Sequence, residues 1–255
     1  MAERLSLVQL PARWILDAGC GTGGAAPLLQ QRFAGATIVD LDVSERMLAR
    51  RTTWRWPTWL RIPRRGSRHG VCADFQILPL MSARFDLVWS NLALHWAEDL
   101  PAALTEASRV LRPGGLLMFS VFGPDTLREL RLAAADDGFH VNQHVDMHDI
   151  GDMLVRCGYA DPVMDMEQVT LTYVDLAALL RDLRAHGSTA FATGKSTGLR
   201  ARSHFLRSVA RYEQFRRQDG RLPATIEVIY GHAWKPEPRR SPKGREVIDI
   251  RPAAR

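Results

Sequence analysis

The sequence predicts an α/β fold built on a doubly wound, mostly parallel sheet with an antiparallel edge. Three observations predict it. A short apolar run at 13–17 leads directly into a glycine-rich turn and an amphipathic stretch, which is typical of a strand, a tight turn and a helix start. Further short strands then alternate with helices, the order expected of parallel βαβ units. A late pair of strands, at 163–173 and 225–233, predicts the antiparallel edge.

The predicted elements follow one another through most of the chain. The strands cover residues 13–17, 37–41, 69–73, 85–90, 116–121, 163–173 and 225–233, and the helices cover residues 24–33, 44–52, 101–110, 125–134, 148–156, 175–185 and 202–216. Arg112-Pro113-Gly114-Gly115 is predicted to be a turn before the fifth strand. We expect one domain over residues 1–236, with a helical insertion at 175–220. A basic, proline-containing tail at 237–255 is predicted to be disordered.

The glycine turn is the first candidate binding site. Glycines at 19, 21 and 23 alternate with other residues, and Asp17 precedes them. Glycine lets the backbone approach a ligand closely because it has no Cβ. A dinucleotide fingerprint has the spacing G-x-G-x-x-G, and its pyrophosphate needs a helix N-terminus. We interpret the G-x-G-x-G spacing as favouring S-adenosylmethionine, whose ammonium group Asp17 can help to orient. Cys20, within the turn, is interpreted as a small space-filling residue.

Acidic residues follow the next two strands in the positions that a nucleoside needs. Asp42 ends the second strand, where a carboxylate can accept both ribose hydroxyls; Asp40, inside that strand, is expected to point to the other face. Met47 lies in the helix that Ser44 is predicted to cap. Asp74 and Phe75 are candidates for the adenine amino group and ring, although a structural loop aspartate is an equal alternative. Asn91 ends the fourth strand at the mouth of the sheet.

Taken together, these segments resemble the class I methyltransferases, whose first motif is a strand followed by D-x-G-x-G-x-G. The resemblance implies a Rossmann-like fold, S-adenosylmethionine as the cofactor, and a lid over the acceptor formed by the insertion at 175–220. The candidate cofactor-binding residues are Asp17, Gly19, Cys20, Gly21, Gly23, Asp42, Met47, Asp74, Phe75 and Asn91. His95 follows the fourth strand, where such enzymes place acceptor-facing residues; a structural histidine beside Trp96 is as good an interpretation.

Four later segments resemble the malonyl-acyl-carrier-protein O-methyltransferases of biotin synthesis. They are W-S-N-L-A-L-H-W at 89–96, F-G-P-D-T-L-R-E-L at 122–130, D-M-H-D-I-G-D at 146–152, and residues 222–234. The resemblance implies methylation of the free carboxylate of a malonyl thioester held by an acidic acyl carrier protein. Arg181 and Arg184 are the expected fork for that carboxylate, with a solvated basic face as the alternative. Members of this family usually carry a helical segment before the first strand, whereas about twelve residues precede Trp14 here.

Composition limits the remaining possibilities. From Arg181 to Arg255 there are 17 Lys and Arg against 7 Asp and Glu, a net charge of +10, which favours an acidic partner. Three cysteines without C-x-x-C spacing indicate reduced thiols, and no His or Cys cluster has metal-ligand spacing. We find no apolar run of membrane-spanning length and no secretory signal. We therefore predict a cytoplasmic enzyme without metal, membrane or nucleic-acid partner.

Three other functions stay open at this point. The first is a related assembly factor that hydroxylates an arginine of a respiratory-chain subunit; Pro124 and the run from Pro223 to Thr225 favour the malonyl enzymes over it. The second is a binding protein that keeps the fold without turnover. The third is a nucleic-acid methyltransferase, suggested by basicity, but the sequence has no N-P-P-Y-like motif and no known RNA-binding module.

Overall fold

A computed structural model describes residues 1–51, 66–134, 144–185 and 199–238, with the side chains of 199–205 outside the description. Seven strands form one sheet. They are β1 (Trp14–Ala18), β2 (Thr37–Asp42), β3 (Arg68–Cys72), β4 (Phe85–Asn91), β5 (Leu111–Phe122), β6 (Ala160–Tyr173) and β7 (Leu222–Trp234). All seven strands were predicted from the sequence, and their observed bounds are within a few residues of the predicted ones.

The strand order is β3-β2-β1-β4-β5-β7-β6. Strands β1 to β5 pair in parallel. The amide of Gly114 donates to the carbonyl of Lys235, and the amide of Gly123 donates to that of Glu227, so β7 runs against β5. The predicted fold class, a mostly parallel doubly wound sheet with an antiparallel edge, is therefore confirmed.

The helices lie where the amphipathic segments predicted them. They are α2 (Ala26–Arg32), α3 (Glu45–Ala49), α4 (Leu100–Val110), α5 (Arg128–Ala134), α6 (Met147–Arg156), α7 (Leu176–Ala185) and α8 (Leu199–Tyr212), preceded by α1 (Ala2–Ser6), which was not predicted. Side-chain caps start several of them: Ser44 accepts from the amide of Met47, Asp99 from that of Ala102 and Asp175 from that of Ala178, each satisfying an amide that the first turn leaves open. Short 3₁₀ helices lie at Leu94–Trp96 and Glu213–Phe215.

Two boundaries differ from the prediction for local reasons. The segment from Arg112 to Gly115 is not a turn before the strand but an irregularity within β5, because its pairing with β4 shifts from Phe85↔Leu111 to Leu87↔Leu116. Helix α5 begins at Arg128 rather than at residue 125, since Leu127 has a φ of +57°, which is incompatible with a right-handed helix.

The chain divides into two compact units. The first contains the described residues of Met1–Ser120, Gly151–Val163 and Gly231–Arg255, and the second those of Val121–Ile150 and Met164–Tyr230. Each unit has its own apolar cluster. The first cluster includes Ile15, Leu29, Ile38, Leu87, Trp89 and Met118, and the second includes Leu130, Leu176, Leu179, Tyr212 and Leu222. Strand β1 is buried along nearly its whole length, as expected of an inner parallel strand.

Helices α7 and α8 occupy the predicted insertion, but its role as a lid stays a prediction. Residues 186–198 and 239–255, which hold the loop of this insertion and most of the predicted tail, lie outside the described residues. Within the described ranges, no helix is both long and apolar enough to cross a membrane. The same ranges hold no group of three or more His, Cys, Asp or Glu side chains arranged to bind a metal ion.

Candidate cofactor-binding site

The carboxyl end of β1 buries an aspartate beside a second buried aspartate in β2. Asp17 is 2% exposed, Asp40 is fully buried, and the two are register partners in parallel strands. Within the described part of the chain, Asp17 Oδ2 has no hydrogen-bond partner. Burial, reinforced by the charges of Asp40 and Asp42, raises the pKa of Asp17 to about 7. A buried carboxyl oxygen without a donor is costly unless a ligand supplies one.

The glycine turn wraps closely around this strand end. The amides of Gly19 and Cys20 both donate to the carbonyl of Leu41, at 2.8 and 2.9 Å, which fixes the turn on β2. Gly19 has a φ of +77° and Gly23 one of +78°, a left-handed conformation that favours glycine. A Cβ on Gly19 would collide with the side chain of Ala93. The backbone here is therefore a tight cradle that tolerates no added carbon at Gly19.

Asp42 ties the turn to the start of α3. Its Oδ2 accepts from the amide of Gly21 and its Oδ1 from the amide of Ser44, both at 2.8 Å. An ionised carboxylate offers about four lone-pair sites, so each oxygen can still accept a hydroxyl proton. Asp42 thus lies half-buried and fixed at the end of β2, where sequence reasoning predicted a ribose acceptor.

A cavity of about 310 Å³ lies beside the turn, within the size range of small-molecule sites. Its lining consists of Met1, Ala2, Asp17, Gly19, Cys20, Gly24, Ala25, Leu28, Trp89 and Asn91. Four of the predicted cofactor residues therefore meet at one cavity, together with apolar surface from Leu28 and Trp89. The unpartnered Asp17 oxygen and the glycine cradle fit the ammonium-bearing end of S-adenosylmethionine.

The other predicted cofactor residues do not line this cavity. They are Gly21, Gly23, Asp42, Met47, Asp74 and Phe75. Asp74 is exposed and accepts from the backbone and side-chain nitrogens of Gln76, whose Oε1 in turn accepts from the amide of Asp99. This network gives the Asp74 loop a defined conformation. Contact of these six residues with the ribose and adenine stays a prediction.

The remaining candidates are placed as follows. Cys20 is buried, and burial together with Asp17 raises the pKa of its thiol to about 12; a thiol that stays protonated is a poor nucleophile, which supports its interpretation as a space-filling residue. His95 lies in the 3₁₀ helix after β4, with its ring 5.2 Å from that of Trp96. Arg181 and Arg184 lie exposed on α7, in the second unit.

The structure also corrects and extends the set of residues. The expectation that Asp40 points away from the site is wrong, because Asp40 pairs in register with Asp17 and is the main charge acting on its pKa. Sequence reasoning missed Trp89, although alternation along β4 would have placed it on the same face as Asn91. It also missed Arg68, which binds Asp40; no sequence motif marks this arginine.

Parts of two of the sequence motifs, 122–130 and 222–234, meet in the second unit. Thr126 Oγ1 donates to the carbonyl of Glu227 at 3.0 Å, and Glu227 Oε2 accepts from the amide of Asp125 at 2.6 Å. Glu129 accepts from both the amide and the hydroxyl of Thr225. These contacts join the F-G-P-D-T-L-R-E-L run to the start of β7, and we name residues 122–129 and 222–227 the corner. In the corner, these motif residues fix the backbone.

The fold and this site define a class I, S-adenosylmethionine-dependent methyltransferase. Residues 16–119 match the family model described as a methyltransferase domain. Among solved structures, the chain resembles the YcgJ protein of Bacillus subtilis (TM-score 0.60, 15% identity, covering 91% of this chain and 96% of that one). It also resembles an arsenic(III) S-adenosylmethionine methyltransferase of Chlamydomonas reinhardtii (TM-score 0.56, 17% identity, 90% and 66% coverage). At these identities the likeness concerns the fold.

Curated relatives identify the family. Malonyl-[acyl-carrier protein] O-methyltransferases of Methylovorus sp. (strain MP688) and Laribacter hongkongensis are each 49% identical to this chain, over all of it and over 86% and 87% of their own lengths. The enzyme of that name from Gallionella capsiferriformans is 46% identical over 97% of this chain and 86% of its own. The chain belongs to the malonyl-[acyl-carrier protein] O-methyltransferase family.

Proposed function

We propose that this protein transfers a methyl group from S-adenosylmethionine to the free carboxylate of a malonyl group carried on an acyl carrier protein, forming a methyl ester in biotin synthesis. The observation that carries the proposal is the 49% identity to relatives of that name over the whole of this chain. The buried, unpartnered Asp17 oxygen beside a glycine cradle supports it.

At the cofactor end, Asp17 would accept from the ammonium group, and the turn from Gly19 to Gly23 would lie against the aminoacyl chain. Asp42 would accept from the ribose hydroxyls through the lone pairs that Gly21 and Ser44 leave available. Met47, Asp74 and Phe75 would enclose the adenine, and Asn91 would face the transferred group. When bound, S-adenosylmethionine supplies a methyl group on a positively charged sulfur, and alignment provides much of the acceleration for its in-line transfer.

The acceptor makes little chemical demand on the protein. A malonyl carboxylate is already anionic at neutral pH, so the reaction needs no general base. In this proposal His95 contributes to the shape of the acceptor side and moves no proton. Arg181 and Arg184, one helical turn apart on α7, would hold the carboxylate, with the insertion at 175–220 acting as the lid.

The charge of the C-terminal part supports the proposed partner. The net charge of +10 from Arg181 onwards would attract an acidic carrier protein and raise the rate of encounter. Carrier affinity should therefore fall steeply as salt is raised from low to physiological concentration, because screening shortens the range of exposed charges. The protein would work in the cytoplasm.

Mass spectrometry of the carrier tests the proposal directly. Malonyl-acyl carrier protein is incubated with the protein and S-adenosylmethionine; we expect a product heavier by one methyl group in place of a hydrogen. Acetyl-acyl carrier protein is the matched control, because it lacks the free carboxylate and should remain unchanged. A malonyl carrier that stays unmethylated while cofactor binding is demonstrated would contradict the proposal.

A further inference from the structure

Asp40 holds two arginines beneath the glycine turn. Its Oδ2 accepts from Arg51 Nη1 at 2.8 Å and from Arg68 Nε. Asp40 is fully buried, whereas the two arginine side chains are 22% and 17% exposed. Arg51 follows α3 and Arg68 begins β3, so a single carboxylate joins two elements that flank the site. Such a desolvated, charge-assisted pair has a well-defined geometry.

Arg68 also contacts the turn. Arg68 Nη2 lies 3.4 Å from the carbonyl oxygen of Gly23, and the guanidinium fills the space that a Cβ on Gly23 would take. Arg51 instead donates from Nε to the carbonyl of Leu48 and lies against Gly70. The two arginines therefore share Asp40 but differ in what else they hold, which makes each a control for the other.

Arg68 also balances the negative charge around Asp17. The charged groups acting on Asp17 are Asp40 and Asp42, which raise its pKa, and Arg68, which lowers it. Cys20 of the turn and Trp89 of β4 lie beside Asp17; the thiol is neutral, because burial raises its pKa, and an indole carries no charge. Since a cation in the site is bound best by ionised Asp17, Arg68 favours the form that a ligand ammonium needs.

We propose that Arg68 is a positioning residue of the cofactor site, tying the Gly23 carbonyl to Asp40 and thereby fixing the end of the glycine turn beside Asp17. The proposal rests on the proposed role of Asp17 in binding the ammonium group. A planar guanidinium suits the task because it can donate to a carboxylate and a carbonyl at once from different nitrogens.

Calorimetric titration with S-adenosylhomocysteine between pH 6 and 8.5 tests this without any acceptor. We expect Arg68→Met to weaken binding about tenfold at pH 7, equivalent to about 1.4 kcal/mol, and to move the rise of affinity with pH to higher pH. Arg68→Lys should restore the pH profile, because it keeps the charge, but not the full affinity, because an ammonium group lacks the fork. Arg51→Met keeps the Arg68 contact with Gly23, so it should weaken binding less than Arg68→Met does and leave the pH profile unchanged.

The outcomes separate this inference from the proposed function. A wild-type protein that fails to bind S-adenosylhomocysteine would contradict the proposed function. If the wild type binds but Arg68→Met and Arg51→Met lose affinity equally, or the pH profile of Arg68→Met is unchanged, Arg68 is no positioning residue. Thermal unfolding of the ligand-free variants shows whether each one is folded. Should Arg68→Met fail to fold, unchanged affinity in Arg68→Lys would overturn the inference, and reduced affinity with a wild-type pH profile would support it.

Discussion

Two of the regions that bury carboxylates, the glycine turn and the corner, differ in the donors that they offer them. In the corner, both oxygens of Glu129 accept hydrogen bonds from Thr225, and Glu227 accepts from the amide of Asp125. At the glycine turn, Asp17 is at least as buried, yet its Oδ2 has no partner within the described residues. Backbone and hydroxyl groups thus donate to the buried carboxylates of the corner, whereas no described residue donates to Asp17 Oδ2 at the glycine turn.

This difference separates a structural carboxylate from a ligand-binding one. A buried carboxylate destabilises the fold unless donors compensate for its lost hydration. The corner supplies those donors from two backbone amides and the Thr225 hydroxyl, so its acidic residues stabilise the native state. No described residue donates to Asp17 Oδ2, and burial raises the pKa of this carboxyl, which is typical of functional sites. Substitutions in the two regions should therefore change different measured quantities.

The largest effect is expected at Gly19. Gly19→Ala forces an alanine to a φ of +77° and drives its Cβ into Ala93, so the turn must move. We expect S-adenosylhomocysteine affinity to fall by at least about a hundredfold, roughly 2.7 kcal/mol, as measured by calorimetry.

Gly21→Ala is the matched control for this change. Gly21 also has a left-handed φ, of +54°, but nothing lies within 4 Å of the added Cβ. The Gly21→Ala variant should therefore lose only the free energy of the backbone strain, about 1–2 kcal/mol. Equal losses in the two variants would show that contact with Ala93 is unimportant.

The next effect is on the pH dependence of stability. Because the pKa of Asp17 is about 7 in the folded protein and 3.8 in model compounds, the native state holds its proton more tightly than the unfolded state. The contribution of Asp17 to the free energy of unfolding is therefore greatest below pH 4 and is lost as the pH rises towards 7. Between pH 5 and 8 the wild type should lose about 2–3 kcal/mol that Asp17→Asn does not lose. Urea unfolding at the two pH values measures this, and parallel pH dependences would disprove it.

The sequence predicted the fold almost completely because its signals are local. The alternation of short apolar strands with helices, together with the glycine turn, predicts β1 to β5, and neither signal depends on distant contacts. Helix α5 begins late because Gly123 and Thr126 bond to Glu227, a contact across about a hundred residues that no local pattern shows. The candidate site could be predicted only in part for the same reason. Asp17 and Asp42 can be found from the sequence because each lies at the end of a predicted strand. Arg68 is found only through its contact with Asp40, on another strand.

The spacing of the glycines alone does not identify the cofactor. Gly24 follows Gly23, so the chain also satisfies G-x-G-x-x-G from Gly19, and the spacing does not by itself exclude a dinucleotide. The structure adds the unpartnered oxygen of Asp17, which suits an ammonium group and would repel a pyrophosphate. The acidic residue before the turn, rather than the glycines, therefore distinguishes the two cofactors.

A substitution at Asp42 also tests the glycine-turn region, with a smaller expected effect on cofactor affinity. Asp42→Ala removes the proposed acceptor of the ribose hydroxyls and also the partner of the Gly21 and Ser44 amides. We expect S-adenosylhomocysteine to bind more weakly by roughly 1.5–3 kcal/mol. Glu45→Ala, which removes an exposed charge from the same helix start, is the control and should bind as the wild type does. Unchanged affinity in Asp42→Ala would exclude Asp42 as the ribose acceptor.

A substitution at Thr225 tests the corner, where the buried carboxylates have donors. Thr225→Val takes a hydroxyl donor from buried Glu129 and should lower the free energy of unfolding by about 1.5 kcal/mol, measured in urea. Affinity for S-adenosylhomocysteine should remain within about twofold of the wild type, a difference below 1 kcal/mol. Thr105→Val, at an exposed hydroxyl that donates to Pro101, serves as the control and should cost less. A loss of cofactor affinity in Thr225→Val without a loss of stability would contradict the distinction between the two regions.

The smallest effect is expected at His95, because a carboxylate acceptor needs no base. General bases typically contribute 10²- to 10⁴-fold to a rate, so a base role would make His95→Gln nearly inactive. We expect instead a loss of less than about tenfold in kcat, from altered packing against Trp96. The pH–rate profile should lack a step that His95→Gln abolishes. If kcat falls a hundredfold and that step disappears, His95 acts as a base, and the acceptor is an amine or alcohol rather than a carboxylate.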